Sequence, residues 1–295
     1  MEHNVEKAIA GIMASYERFP EICKSTTGEN INKEIVVDIL GSIRRVLFPG
    51  FFNLNKIQPG YMKYVVGEEL EFIQYNLQKQ ISRSLGTEEK CDGCPRSENI
   101  DRAEQITRSF IEQIPQIREM LSYDVQAAFE GDPAAKSPSE IIITYPGFFA
   151  ITIYRVAHQL HLLGVPMLPR VMTEYAHSLT GIDIHPGATI GEYFFIDHGT
   201  GIVIGETTEI GDHVKIYQGV TLGALSTRKG QELKNSKRHP TINDNVTIYS
   251  GATILGGNTV IGEGATIGGN AFIVTSIPAK AKINVETTPL YGERK

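Results

Sequence analysis

Residues 241–273 read TINDNVTIYSGATILGGNTVIGEGATIGGNAFI. A large aliphatic residue returns about every six positions in this stretch, and a small residue or valine commonly follows four positions later. A period of six fits neither an α-helix, with about 3.6 residues per turn, nor a simply alternating strand. It is typical of hexapeptide repeats, whose short parallel strands stack coil upon coil in a β-helix.

The same period begins about sixty residues earlier in the chain. The large aliphatic positions are Ile184, Ile190, Ile196, Ile204, Ile210, Ile216, Leu222, Ile242, Ile248, Ile254, Ile261, Ile267 and Ile273. The small or valine positions are Ala188, Val214, Val220, Val246, Ala252, Ala265 and Ala271. Of the 29 glycines, 17 lie between Gly181 and Gly269, as expected if glycine serves the tight corners of a triangular coil.

The first part of the chain has a different, helical pattern. Two apolar stripes at helical spacing are Ile35, Ile39, Leu40, Ile43, Val46 and Leu47, and then Ile106, Phe110, Ile111, Ile114, Ile117 and Leu121. Two more helical segments follow around 147–163 and 167–179. We therefore predict an α+β fold. Its parts are a helical domain over 1–180, a left-handed parallel β-helix over 181–278 with an extruded loop, and a C-terminal tail over 279–295.

Composition excludes several classes of protein. The net charge is −6 with both signs scattered, so a general nucleic-acid or anionic-membrane footprint is absent. The apolar stretch 141–157 is broken by Pro146 and Gly147 and carries Arg155, and we expect no secretory signal in the acidic N-terminus. Three cysteines fit a reducing compartment, so we expect a cytoplasmic protein. The pair Cys91 and Cys94 lacks a second ligand pair, which favours an ordinary loop over a zinc site.

The period of six breaks at two places. Ile196 and Ile204 are eight positions apart, so one coil must bulge, and bulges tend to re-aim a side chain. Leu222 and Ile242 are twenty positions apart, and the loop expelled between them carries Arg228, Lys229, Lys234, Lys237 and Arg238. A basic loop on an acidic protein suggests an anionic ligand with phosphates.

Titratable side chains gather at these breaks. They are Asp183, His185, Asp197, His198, Glu206, His213, Arg238 and His239. Asp183 and His198 are fifteen positions apart, close to the length of one coil, so they can stack on neighbouring coils. A carboxylate beside an imidazole raises its basicity, as a general base near neutral pH requires.

Four segments carry a resemblance to a known family. They are DIHPGATIG over 183–191, IDHGTGIVIGET over 196–207, QGVTLG over 218–223 and KRHPTI over 237–242. Together they resemble the serine O-acetyltransferase family of hexapeptide-repeat acyltransferases. The resemblance spans about 125–280 and fades across the first hundred residues.

The resemblance implies acetyl transfer from acetyl-CoA, as co-substrate, to the hydroxyl of L-serine, in a ternary complex and for cysteine biosynthesis. It makes His198 the general base and Asp183 the residue that orients it. It places His239 close to the reacting centre with Glu206 as its supporting carboxylate. No covalent enzyme intermediate and no metal are expected.

The resemblance also implies the binding residues. Arg238 would clamp the serine carboxylate, and Asp132 and Asp197 would hold its ammonium. The positions that match the coenzyme A site are Gly223, Ala224, Ser250, Gly251 and Gly269. Cysteine resembles serine, so we expect it to compete for the same pocket.

The family assembles as a trimer with the active site between neighbouring subunits, often doubled to a hexamer. We therefore expect a homotrimer or a dimer of trimers. The C-terminal residues Pro289–Lys295 lack the terminal isoleucine with which the family docks into O-acetylserine sulfhydrylase. The sequence thus argues against a stable complex with that enzyme.

Three other functions compete with this interpretation. The γ-type carbonic anhydrases share the fold and bind zinc through three histidines, but His185, His198 and His213 lack the close spacing of that site. Other hexapeptide acyltransferases act on sugars or related small hydroxyl compounds, and remain the alternative. A structural or adhesive β-helix does not explain why acids and histidines gather at the breaks of the repeat.

Overall fold

The computed structural model describes residues 2–22, 30–52, 59–88, 96–226, 228, 230–234 and 236–284. The chain divides into two compact units, Met1–Ile31 and Asn32–Lys295. The predictions made for Cys91 and Cys94, for Lys229 and for the end of the chain beyond 284 lie outside the described residues.

Seven α-helices occur in the described part of the chain. They are α1 (Glu2–Arg18), which belongs to the first unit, and α2 (Lys33–Leu47), α3 (Met62–Glu88), α4 (Arg96–Gly131), α5 (Pro138–Thr144), α6 (Pro146–Leu162) and α7 (Leu168–Thr180) in the second. Asn32 caps α2, because its side chain accepts hydrogen bonds from the N–H groups of Glu34 and Ile35. The helices α6 and α7 confirm the segments expected near 147–163 and 167–179.

Fourteen short strands follow the helices in the described residues. They are β1 (Asp183–Ile184), β2 (Thr189–Ile190), β3 (Phe195–Asp197), β4 (Val203–Ile204), β5 (Glu209–Ile210), β6 (Lys215–Tyr217), β7 (Thr221–Gly223), β8 (Thr241–Ile242), β9 (Thr247–Ile248), β10 (Thr253–Leu255), β11 (Val260–Ile261), β12 (Thr266–Ile267), β13 (Phe272–Ile273) and β14 (Lys282–Ile283). They form three parallel sheets. The first is β1-β4-β7-β10-β13, the second β11-β8-β5-β2, and the third β14-β12-β9-β6-β3.

This arrangement confirms the parallel β-helix, and every aliphatic position of the period-six pattern is buried. Ile184 pairs with Ile204, which pairs with Leu222, which pairs with Ile254. The apolar residues therefore stack in columns inside the coil, and their burial is its main source of stability. The handedness of the coil stays a prediction.

Two of the three corners of the coil carry the candidate site. The corner from the third sheet to the first, named here the glycine corner, comprises 198–202, 218–220, 249–252 and 268–271. Backbone φ is positive there at Gly201, Gly219 and Gly251, and a Cβ on Gly201 would lie 3.5 Å from Cα of Gly219. The corner from the first sheet to the second, named the loop corner, comprises 185–188, 205–208, 224–240 and 256–259.

A buried ion pair joins the helices to the first coil. Arg155 of α6 donates from Nε to Oδ2 of Asp124 of α4 at 2.6 Å and from Nη2 to Oδ1 at 2.8 Å. The same Nη2 donates to the carbonyl of Gly191 at 2.8 Å, and Oδ1 of Asp124 accepts the N–H of Phe194 at 3.0 Å. The two side chains are 6% and 1% exposed. This network fixes α4, which ends beside the candidate site.

Asp124→Asn should destabilise the fold by about 3–5 kcal/mol, because it leaves the buried charge of Arg155 without a partner. The free energy of unfolding in urea measures this. The matched control is Glu104→Gln, which breaks the exposed pair between Glu104 and Arg108 and should cost less than about 1 kcal/mol. Similar losses in both variants would contradict the structural role given to Asp124.

Within the described residues, no single helix is both long and apolar enough to cross a membrane. The pair α5 and α6 reaches the required length and composition together, but the two helices are bent by 76° at their junction.

Candidate active site

The first break in the period turns His198 outward. Register shows the extra length, since Ile196 pairs with Ile216, twenty positions later, while Ile204 pairs with Leu222, eighteen positions later. His198 has φ 59° and Gly199 has φ 89°. A Cβ on Gly199 would lie 2.5 Å from Cδ1 of Ile182, so glycine is needed there. The His198 side chain is 70% exposed.

Two carboxylates lie beside His198. Oδ1 of Asp197 is 3.6 Å from Nδ1 of His198. Asp132 follows α4 and accepts hydrogen bonds from the hydroxyl of Tyr145 at 2.6 Å and the N–H of Ala134 at 2.8 Å. These bonds lower the pKa of Asp132, with help from nearby positive charge. The bond to Asp132 raises the pKa of Tyr145 to about 12.

Lys215 completes this group, and the sequence reading missed it. Its Nζ donates to the carbonyl of Gly131 at 2.7 Å and lies 3.6 Å from Oδ2 of Asp197. The signal was available, because the coil register places Lys215 on the strand next to His198, opposite Phe195. Asp132, Tyr145, Asp197, His198 and Lys215 are called the His198 cluster below.

The foot of the expelled loop forms a second group, at the loop corner. Arg238 forms an ion pair with Glu206. Burial alone would raise the pKa of Glu206, but the hydrogen bond from Arg238 and the adjacent positive charges outweigh it and lower that pKa. Lys237 donates to the carbonyl of Thr207 at 2.7 Å. Lys237 and Arg238, at the foot of the loop, therefore bind Thr207 and Glu206 of the preceding coil. Arg228 and Lys234, farther out on the loop, are exposed.

Thr207, rather than Glu206, holds the ring of His239. Nδ1 of His239 accepts the N–H of Thr207 at 3.0 Å and lies 2.9 Å from its hydroxyl oxygen. That oxygen already accepts the N–H groups of Arg238 and His239, so its hydrogen is free to point at Nδ1. The ring is then neutral, with its proton on Nε2. The expected support by Glu206 is not a direct contact, since Glu206 faces Arg238. Glu206, Thr207, Arg238 and His239 are called the Arg238 cluster.

His239→Gln should reduce the loss of stability in acid. Burial first, and then the charge of Arg238, lower the pKa of His239 to about 4, below the ordinary value of about 6.5 for an unfolded chain. The unfolded chain therefore binds the proton between these two pH values. As the pH drops through this window, the free energy of unfolding falls. Protonation of His239 accounts for about 2–3 kcal/mol of that fall near pH 4. Above the window the residue has no such effect.

Urea unfolding of the wild type and of His239→Gln, at neutral pH and near pH 4.5, measures this difference. The variant should lose less stability than the wild type over the same interval. An equal loss in both proteins would contradict the lowered pKa of His239.

Asp183 does not contact His198. Its Oδ1 is 3.5 Å from Nη1 of Arg170 of α7, whereas the ion-pair contact of His198 is Asp197. Asp183 begins β1 directly after α7, so it meets the side chains of that helix. Its predicted role of orienting His198 is therefore not seen as a contact within this chain.

Asp183 belongs to the candidate metal group of the described residues. Ligand atoms of Glu174, His177 and Asp183 lie within 4.8 Å of one another. Arg170 pairs with both carboxylates, so its guanidinium supplies the positive charge that a metal would supply. The group is satisfied as an ion-pair network.

The predicted coenzyme A positions divide between the same two corners. Ser250, Gly251 and Gly269 lie on the glycine corner, on later coils than His198. Gly223 ends β7 and Ala224 opens the loop corner, one coil after Glu206. Ser250, Gly251 and Gly269 thus share a corner with His198, whereas Gly223 and Ala224 lie at the corner that holds the Arg238 cluster. The first sheet separates the two halves within one chain.

Comparison with known proteins gives the family. Residues 74–153 match the family model described as the N-terminal part of serine acetyltransferase. This match begins earlier than the segment on which the sequence resemblance rests. The chain is 48% identical over 252 residues to a plasmid-encoded serine acetyltransferase of Synechococcus elongatus, covering 83% of this chain and 79% of that one.

Two further relatives agree. The chain is 50% identical to the serine acetyltransferase of Bacillus subtilis over 129 residues, which are 44% of this chain and 57% of that one. A crystal structure of serine acetyltransferase isoform 3 of Entamoeba histolytica, in complex with cysteine, superposes with a TM-score of 0.74 at 37% identity, covering 92% of this chain and 87% of that chain.

The β-helix with acids and histidines at its two breaks defines an acyltransferase of the hexapeptide-repeat class. Within that class, the chain belongs to the serine acetyltransferase family.

Proposed function

We propose that this protein is a serine O-acetyltransferase, which transfers the acetyl group of acetyl-CoA to the hydroxyl of L-serine and releases O-acetyl-L-serine and CoA. The observation that carries the proposal is the placement of His198. The lengthened coil exposes its imidazole beside the carboxylate of Asp197 and within electrostatic reach of Asp132, in the segment that resembles the family most specifically.

The chemistry needs a base, because a serine hydroxyl is a poor nucleophile until its proton is removed during attack. His198 takes that proton as the hydroxyl oxygen attacks the thioester carbonyl. The tetrahedral intermediate then expels the thiolate of CoA, which receives the proton from His198. Holding both substrates together supplies the entropic advantage, so the enzyme needs no nucleophile of its own.

The His198 cluster supplies the site for the substrate ammonium. Asp197 lies beside the imidazole and Asp132 interacts with it electrostatically, and the hydrogen bonds from Tyr145 and Ala134 lower the pKa of Asp132, which favours its charged form. Asp183 pairs with Arg170 in this chain. It can orient His198 only if assembly of the subunits breaks that ion pair and brings Asp183 to His198.

The substrate carboxylate is assigned to Arg238. Its Nη1 is buried and has no hydrogen-bond partner among the described residues, while Nη2 pairs with Glu206. A free N–H beside an occupied one suits a carboxylate. Arg238 and His239 lie on the loop corner, so a complete site needs the glycine corner of one subunit against the loop corner of the next. This supports a homotrimer with the active site between subunits, as one trimer or two.

Acetyl-CoA would lie in the same groove. Its pantetheine arm would run along the small residues at Gly223, Ala224, Ser250, Gly251 and Gly269, and the exposed cations Arg228 and Lys234 would meet its phosphates. The reaction needs no metal. A cytoplasmic location and a role in cysteine biosynthesis belong to the same proposal.

Release of CoA thiol from acetyl-CoA tests the proposal, with L-serine compared against homoserine, threonine and a galactoside. We expect thiol release that depends on L-serine and is far slower with the other acceptors. Faster transfer to the galactoside would favour the alternative of a sugar O-acetyltransferase. Thiol release that is independent of L-serine would contradict the proposal.

L-cysteine should inhibit by competing with L-serine. It keeps the ammonium and carboxylate that the two clusters would bind, and the Entamoeba histolytica relative was crystallised with cysteine. Initial rates at several concentrations of both amino acids should show a raised KM for serine with unchanged kcat. Inhibition that serine cannot overcome would contradict a shared pocket.

A further inference from the structure

We infer that Lys215 sets the acceptor selectivity of the site: it is a fixed counter-cation of the ammonium pocket and favours acceptors that carry a carboxylate as well as an ammonium. The inference rests on the proposed function and names a residue that determines specificity for it.

Lys215 is held in place rather than free in solvent. Its side chain is 21% exposed, and its Nζ lies 4.7 Å from the ring centroids of both Phe195 and Tyr217. The carbonyl of Gly131, at the C-terminal end of α4, accepts its hydrogen bond. A helix C-terminus and two aromatic faces each favour a cation. The ammonium group of Lys215 is therefore a permanent part of the pocket.

The charge of Lys215 acts directly on the carboxylates of Asp132 and Asp197, which are assigned to the substrate ammonium. Nζ lies 3.6 Å from Oδ2 of Asp197, and its charge helps to lower the pKa of Asp132. Two carboxylates and one lysine leave one net negative charge in the pocket. A substrate ammonium that binds there is attracted by both carboxylates and repelled by Lys215, and these interactions are strong where water is partly excluded.

Acceptor substrates differ in whether they carry a negative charge that compensates the repulsion between their ammonium and Lys215. L-serine carries a carboxylate on the carbon that bears its ammonium, so its own negative charge offsets that of Lys215. The amino alcohol 2-aminoethanol has the same hydroxyl and ammonium but lacks the carboxylate. Lys215 should therefore discriminate against 2-aminoethanol, in addition to the attraction that Arg238 offers to serine.

The test compares kcat/KM for L-serine and for 2-aminoethanol in Lys215→Met, which keeps the apolar stem against the rings and loses the charge. The preference for L-serine should fall about tenfold, the change expected for about 1.4 kcal/mol of lost discrimination. If 2-aminoethanol is bound without being acetylated, its inhibition constant against L-serine gives the same comparison.

Three further variants make the result specific. Lys282→Met removes a cation from β14 of the same sheet and should leave the preference within twofold of wild type. Lys215→Arg keeps the charge and should do the same. Lys215→Gln is neutral and can still donate to Gly131, so it should repeat the loss seen with methionine even if Lys215→Met fails to fold.

An unchanged preference in folded Lys215→Met or Lys215→Gln would overturn the inference while leaving the proposed function intact. Failure of the wild type to acetylate L-serine would instead overturn the proposed function. The two failures are thus distinguishable in one set of measurements.

Discussion

His198→Ala is expected to lower kcat by about 10²–10⁴, the usual contribution of a general base. The bulged coil presents this imidazole to solvent near Asp132 and Asp197, and both of these carboxylates are assigned to the substrate ammonium, so His198 is the base left for the serine hydroxyl. The measurement is thiol release from acetyl-CoA at saturating L-serine and acetyl-CoA.

His213→Ala is the matched control. His213 is also an exposed corner histidine with positive φ, at 56° against 59° for His198, so alanine meets the same backbone conformation. Its ring stacks on Tyr193 with centroids 4.4 Å apart, away from the predicted site. His213→Ala should keep near-normal turnover. Near-normal turnover in His198→Ala would remove the general base from the mechanism.

Mixing two inactive variants should restore activity. His198→Ala damages the glycine corner and Arg238→Ala damages the loop corner, and each homotrimer should be nearly inactive. In the proposed cyclic trimer, every trimer that contains both variants would have one interface in about three that joins an intact glycine corner to an intact loop corner. Co-expression with two different affinity tags, purification through both tags and assay of thiol release would measure the recovery.

The control mixture is His198→Ala with Asp197→Asn. Both residues lie in the His198 cluster, so no interface in the mixed trimers has an intact His198 cluster, and no recovery is expected. Absence of recovery in mixed trimers of His198→Ala and Arg238→Ala would contradict a site shared between subunits.

The β-helix could be predicted from sequence because one period, a large aliphatic residue about every six positions, determines which residues of successive coils pair. Each coil repeats the same buried position, so Ile204 and Leu222 had to stack once the period was recognised. The outward turn of His198 was equally accessible, since two additional residues between Ile196 and Ile204 must bulge.

The side-chain partners were harder to predict, because they come from elements with no common period. Asp183 meets Arg170 of α7, and the position of that helix is set by helix packing rather than by the coil. The family resemblance implied that Glu206 supports His239, yet the loop foot brings Arg238 to Glu206 and Thr207 to His239. The register could have placed Lys215 beside His198, but its hydrogen bond to Gly131, which lies 84 positions away on α4, could not be predicted from that period.

Identification of the product formed from L-serine and acetyl-CoA labelled in its acetyl group is the decisive measurement for the proposed reaction. The purified enzyme should transfer the label to the hydroxyl oxygen of serine, giving O-acetyl-L-serine and one equivalent of free CoA, with no label retained on the protein. Label found on a protein side chain, or on a sugar in preference to serine, would contradict it.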